Sequence, residues 1–213
     1  MTTRSILGAL RAIALTCAVL AGSGLSGLMP SDLRADTLQD TAARIEALIA
    51  DEQNDEAVSA ARDFLRQVTS MTGFGVTNAQ LINGPASGFG VFESRDTNVY
   101  VRGEPIYAYV ELYGFSTTPQ PNGAVQLLFD VSFTLISADG EQMTDALVPM
   151  GDIRLDTFSD PIDGYFHLTY RVNGASGPFL LRTLVTDNAS GQTAEFTLPV
   201  VFGDPMPMDD ENK

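Results

Sequence analysis

The sequence is poor in the side chains from which most active sites are built. Its 213 residues include one cysteine, one histidine and one lysine, the last at the very end. Cys17 lies in an N-terminal apolar segment. A mature chain without that segment has no thiol, which excludes disulfides, thiol catalysis and thiolate metal sites, so stability must come from packing. His167 alone cannot build a histidine-based metal cluster. As a general base it would need a nucleophile and an orienting acid, and the sequence identifies neither. No Gly-x-Ser-x-Gly elbow occurs; Gly174-Ala175-Ser176-Gly177 has the wrong spacing and reads as a turn. The paired stretches Gly73-Phe74-Gly75-Val76 and Gly88-Phe89-Gly90-Val91 lack the third glycine and the Lys-Ser/Thr of a phosphate loop.

Positive charge is scarce as well. The chain carries 27 acidic against 12 basic residues, and beyond residue 35 the balance is 26 against 9. Such a field repels nucleic-acid phosphates and anionic lipid surfaces, so nucleic acid is excluded as a partner. It suits cationic, neutral or calcium-linked partners, or serves solubility alone.

Residues 1–35 read as a signal peptide. Arg4 and Arg11 form a positive start, Ala12–Leu20 a short apolar run, and Ala21–Gly27 a small-residue stretch. Cleavage is expected after Ala35, with Ser23 as the competing position. The apolar run is too short and glycine-rich for a membrane span, so no transmembrane anchor is expected in the mature chain. A periplasmic or secreted location follows.

Over residues 36–72 the period becomes helical. Leu38, Ala42, Ile45 and Ile49 share one face, and Val58, Ala61, Leu65 and Val68 repeat the pattern. Thr37 and Asp40 fit a capping box, and Asn54, within the polar break Asp51–Asp55, is a second cap. These features predict an αα-hairpin, with one long helix as the alternative. Its apolar stripe needs cover, from the sheet domain or from self-association.

Residues 73–203 alternate with a period of two. In Val125–Ser137, the residues Val125, Leu127, Phe129, Val131, Phe133 and Leu135 are apolar, and only Leu128 breaks the polar set between them. Alternation this long implies an antiparallel sheet with one buried face. Further strands are expected at Asn98–Val101, Ile106–Tyr113, Gln142–Met150, Tyr165–Val172, Phe179–Thr186 (mid-sheet, being apolar on both faces) and Ala194–Phe202. Thr72–Glu93 reads as a glycine-rich lead-in of short strands or bends. Seven or so short strands with turn signals about every ten residues describe a β-sandwich. Residues 204–213, with Pro205, Pro207 and a run of acids, read as an acidic disordered tail.

Val101-Arg102-Gly103-Glu104-Pro105-Ile106-Tyr107-Ala108-Tyr109-Val110-Glu111 is similar to a characteristic strand of exported bacterial Ig-like modules. Phe179–Asp187, Asp187-Asn188-Ala189-Ser190-Gly191 and Gln192–Val200 resemble their closing hairpin, with Phe179 where tyrosine is commoner. The resemblance covers residues 89–203. It implies a mainly β fold, an Ig-like antiparallel β-sandwich preceded here by the α-helical hairpin. It also implies a binding or scaffolding role in the cell envelope, and it transfers no catalytic residue.

Two groups of side chains are candidate sites. Tyr107, Tyr109 and Tyr113, with Glu111 between them, share one strand face that can bind a protein, peptide or glycan, unless the helical pair or a second sheet covers it. Asp152, Asp156, Asp160 and Asp163, beside Gly164, fall in one irregular stretch able to supply several oxygens to calcium, or to remain solvated loop acids. With Glu111 they are also the carboxylates available to a hydrolase, which requires two of them in one cleft about 5–10 Å apart. The leading expectation is an exported, non-catalytic interaction module.

Overall fold

A computed structural model describes residues 37–203. The expected leader and acidic tail lie outside the described residues.

Two helices open the described chain: α1, Leu38–Ala50, and α2, Asn54–Thr72. The Thr37 side chain accepts the Asp40 N–H while the Asp40 carboxylate accepts the Thr37 N–H, closing the anticipated capping box. The second cap moves by one residue. Gln53 is the N-cap, without a side-chain bond, and Asn54 is already helical. In α1 the expected Leu38, Ala42 and Ile45 are half-buried, whereas in α2 the buried contact departs from the apolar stripe read in the sequence. Ala57 and Ala60 of α2 are buried with Thr41 of α1, whose hydroxyl donates to Gln67 Oε1 at 3.2 Å. Val58 and Ala61, each one position along, are exposed, as is Leu65. A shift of one residue turns the contact face by about 100°. Small alanines permit close helix approach, and the larger residues are left on the flank.

Nine strands follow: β1 Gly75–Ile82, β2 Val99–Val101, β3 Ile106–Tyr113, β4 Thr118–Pro119, β5 Val125–Ser137, β6 Val148–Thr157, β7 Asp163–Tyr170, β8 Gly177–Asp187 and β9 Thr193–Gly203. They form two sheets. The smaller is ordered β1-β3-β7. In the larger, β2-β9-β8-β5 continue to β6 on the far edge of β5, and β4 pairs with the start of β5. All pairings are antiparallel except β2 with β9.

The long alternation of β5 does what its period requires. Leu127, Phe129, Val131, Phe133 and Leu135 are buried, and Val131 and Leu135 stand opposite Val185 and Leu181 of β8. Ile106, Ala108, Val110 and Leu112 of β3 and Phe166, Leu168 and Tyr170 of β7 supply the opposite layer of one core. Phe129 joins the layers, its ring 6.0 Å from that of Phe166 and stacked on Phe74 at 5.8 Å. As expected, β8 runs mid-sheet, between β9 and β5.

Two expectations need correction. A strand was expected at Gln142–Met150, but β6 runs from Val148 to Thr157. Asp152 and Asp156 therefore lie on a strand and not in an irregular loop. Their alternation with Ile153 and Leu155 is that of an edge strand, and Gly151, at φ +94°, sits where the β5–β6 register shifts. The glycine-rich lead-in also holds a full eight-residue strand, β1, interrupted by a bulge at Thr77.

The helical hairpin meets the sheets at the end of α2. Gly114, at φ +67°, packs so closely on Gly73 that a Cβ there would lie 2.2 Å from the Gly73 carbonyl oxygen. Gln192 Oε1 accepts the Phe74 N–H at 2.9 Å. Arg62 donates to the Asp160 carbonyl at 3.0 Å, and Arg66 pairs with the Asp160 carboxylate.

Candidate functional site

The outward face of the small sheet carries Tyr107, Tyr109, Glu111 and Tyr113 from β3, beside Asp163, Tyr165, His167 and Thr169 from β7. Tyr109 is fully buried. What covers it is neither the helical pair nor the second sheet but the connection between β1 and β2, residues 83–98. Phe92 lies on the Tyr109 ring at 4.4 Å, and the Gly90 N–H donates to the Tyr109 hydroxyl at 2.7 Å. Tyr165 stacks on Tyr109 at 5.7 Å, and Phe89 meets Tyr165 edge-on at 5.8 Å. Burial pushes the Tyr109 hydroxyl above the usual phenol range, with the Glu111 carboxylate adding to the rise and the Gly90 N–H opposing it. Tyr107, Glu111 and Tyr113 stay half-buried. Tyr113 lies over Gly75, where a Cβ would come within 2.3 Å of its hydroxyl. The tyrosine row is therefore the floor of a covered layer and does not form an open aromatic platform.

The four aspartates are not brought together. Asp152 and Asp156 project from the outward face of β6, Asp160 in the β6–β7 connection holds Arg66, and Asp163 begins β7. Asp152 stands directly across from Asp130 in the register, and that neighbour raises its pKa through a shared hydrogen bond and charge repulsion. Asp156 accepts from Gln126 Nε2 at 2.9 Å and lies 3.5 Å from Arg154 Nε. Among the described residues, no three His, Cys, Asp or Glu side chains converge as a metal site would require.

Two hollows flank the covered layer. Beneath α2 lies a crevice of about 560 Å³, lined by Leu65, Val68, Phe89 and Tyr113. Glu111 and Asp163 both border it. They are diagonal neighbours on adjacent strands, a relation that sets Cα atoms about 7–8 Å apart. The second hollow is a mainly apolar cleft of about 550 Å³ where the sandwich edge is open, between β6 and β7. Its floor is Leu127, Ile153 and Leu155 of the large sheet and Phe166 of β7, with Asp163 and His167 at the mouth. It exists because the layers differ in width. The small sheet ends at β7, while the large one continues to β6, so Ile153 and Leu155 point inward with no strand opposite and stay half-buried.

Sequence reasoning reached neither the loop cover nor the cleft. The available signals were Phe89 and Phe92, aromatics in a glycine-rich connection, and the period-two run from Gly151 to Thr157.

No protein-family model and no curated protein matches the chain. Among solved structures, the sporulation control protein Spo0M of Bacillus subtilis aligns at a TM-score of 0.33 and 12% identity, over 62% of this chain and 50% of that one. A beta-glucosidase of Listeria innocua aligns at 0.31 and 10% identity over 59% of this chain and 16% of its own length. A Niemann-Pick type C2 protein from the Japanese carpenter ant aligns at 0.36 and 8% identity over 61% and 92%. The chain thus spans half of the first of these structures and a small part of the second. At such scores the likenesses assign neither fold family nor activity, and the local geometry carries the functional reading.

Proposed function

We propose that the chain is an exported, non-catalytic binding module of the bacterial cell envelope, built on an Ig-like sandwich, with a protein, peptide or glycan as partner. The observation that carries this reading is the apolar cleft between β6 and β7, where the core stays open along one edge. Two antiparallel layers, β1-β3-β7 and β9-β8-β5, around one core support the Ig-like part. The leader-like residues 1–35 support export. The test is capture from envelope extract by the immobilised chain. Specific capture that Leu155→Gln abolishes, and that Leu180→Gln on the far sheet face leaves intact, supports the reading. Capture indifferent to both substitutions, or no capture, rejects it.

One observation favours a second reading, a carboxylate-based hydrolase: Glu111 and Asp163 border the same crevice. It requires turnover in a glycoside or ester screen that both Glu111→Gln and Asp163→Asn abolish without loss of fold.

A further inference from the structure

We infer that the cleft takes an extended, basic segment of a partner protein, which adds to the free edge of β7 as a fourth strand of the small sheet. The inference rests on the binding-module reading and specifies what binds and how.

Three observations converge on the β7 edge. The first is pairing. Each residue from Asp163 to Tyr170 is in register with β3, from Tyr113 back to Ile106, and among the described residues no strand pairs with the other edge. In an antiparallel strand paired on one side, alternate residues turn both N–H and C=O away from the partner. β7 therefore presents a row of unused donors and acceptors. Natural proteins blunt such edges with proline, lysine, a bulge or a covering loop. Ala86 and Phe89 of the 83–98 connection border the cleft, but among the described residues no backbone hydrogen bond from that connection reaches β7. Residues 163–170 contain no proline or lysine, and the register has no shift.

The second is cover. A strand added there lies across from β6, over Ile153 and Leu155, the inward side chains that lack an opposing layer. Period-two geometry turns every other residue of the newcomer onto this apolar floor. Backbone pairing and seating of alternate side chains are the two components of recognition by strand addition.

The third is charge. No lysine or arginine lines the cleft, and Asp163 stands at its mouth. Outward positions of an added strand would sit beside Asp163, with Glu111 one strand further across the sheet. The chain as a whole has a formal charge of −15. A second copy would set two such fields against each other, whereas lysine or arginine at outward positions complements them. The occupant that fits has apolar residues alternating with basic ones.

The test uses the mature chain and nine-residue peptides read by fluorescence anisotropy. One peptide alternates valine with lysine and another valine with glutamate. Two N-methylated forms of the first block alternate amides, one form for each edge. The valine–lysine peptide is expected to bind, with the glutamate peptide at least tenfold weaker. One methylated form should lose binding at least tenfold while the other stays within twofold, because only one edge faces β7. Leu155→Gln, checked for cooperative unfolding, should weaken binding at least tenfold, and Leu180→Gln should not. No binding, equal binding of both charge patterns, or equal response to both methylation patterns overturns the inference. So does a dimer of the chain alone that Leu155→Gln dissolves, which assigns the edge to a second copy. Cleft-dependent capture from extract together with indifference to the methylation pattern removes strand addition and leaves the binding-module reading standing.

Discussion

The hydroxyl of Tyr109 accepts the backbone N–H of Gly90 at 2.7 Å, across nineteen positions of sequence. This bond and the Phe92 ring hold the 83–98 connection against the outer face of the small sheet. Tyr109→Phe keeps the ring and removes the bond, at an expected cost of about 1 kcal/mol. Phe92→Ala removes the lid and should cost more, about 1–3 kcal/mol for a half-buried aromatic. Urea denaturation measures both. Limited proteolysis separates local from global effects, because cleavage within 83–98 should accelerate in Phe92→Ala well before the sheets open.

The contrast between that layer and the core defines how far the sequence could be read. β5, β3 and β8 were legible because burial on one or both faces imposes long apolar patterns that little else produces. β1 was obscured because Gly75, the bulged Thr77, Asn78 and Gln80 dilute its alternation, although Val76, Ala79 and Leu81 do pack on the core. β6 was displaced because its inward residues face an open cleft, so its outward aspartates dominated the pattern. In α1 the stripe held, with Leu38, Ala42 and Ile45 half-buried, but in α2 packing favoured Ala57 and Ala60 over the larger Val58 and Leu65, and of that stripe Val68 alone is half-buried. The loop cover depends on contacts between distant residues, and no local period marks it. The same holds for the cleft, which arises from the unequal widths of the two sheets.

Asp187 should be among the most sensitive polar positions. Its buried carboxylate accepts the Ser116 N–H at 2.9 Å, the Ala189 N–H at 3.1 Å and the Ser190 hydroxyl at 2.5 Å. One side chain thereby joins the β8–β9 turn to the segment following β3. Asp187→Ala leaves these donors without their acceptor and should cost about 2–4 kcal/mol. Asp187→Asn, which retains one acceptor oxygen, should cost less. Equilibrium urea curves for both variants provide the measurement.

Tyr170 gives the fold a pH limit on the alkaline side. Its hydroxyl bonds Thr183 Oγ1 at 2.8 Å within the core, and burial pushes its pKa far above the ordinary phenol value of 10.0, with the Thr183 bond opposing. Burial likewise raises Tyr100 and Tyr109. A raised acid pKa means that the folded state keeps a proton which the unfolded chain releases. The contribution is complete below the unfolded pKa, about 10, and is lost as pH rises above it. Stability should fall from about pH 10 upward. Tyr170→Phe should flatten that fall while costing about 1 kcal/mol at neutral pH, because Thr183 loses its partner. Urea midpoints from pH 7 to 11, compared between the two proteins, test both effects.

Asp130 and Asp152 face each other across β5 and β6 as a like-charged pair. Asp130 raises the Asp152 pKa, so the folded state favours the protonated form more than the unfolded chain does. Protonation relieves the repulsion as pH falls through the raised value, and the penalty is complete above it. Asp152→Asn should therefore raise the melting temperature at pH 7, with the gain shrinking toward zero as pH drops through the carboxylate range. Salt provides an independent check, since exposed charges are screened over about 10 Å at 0.1 M. The advantage of the asparagine variant should narrow in high salt at pH 7 and stay small at every salt concentration near pH 3. Equal melting temperatures for the two proteins at pH 7 and low salt would mean that this outward pair carries no net repulsion.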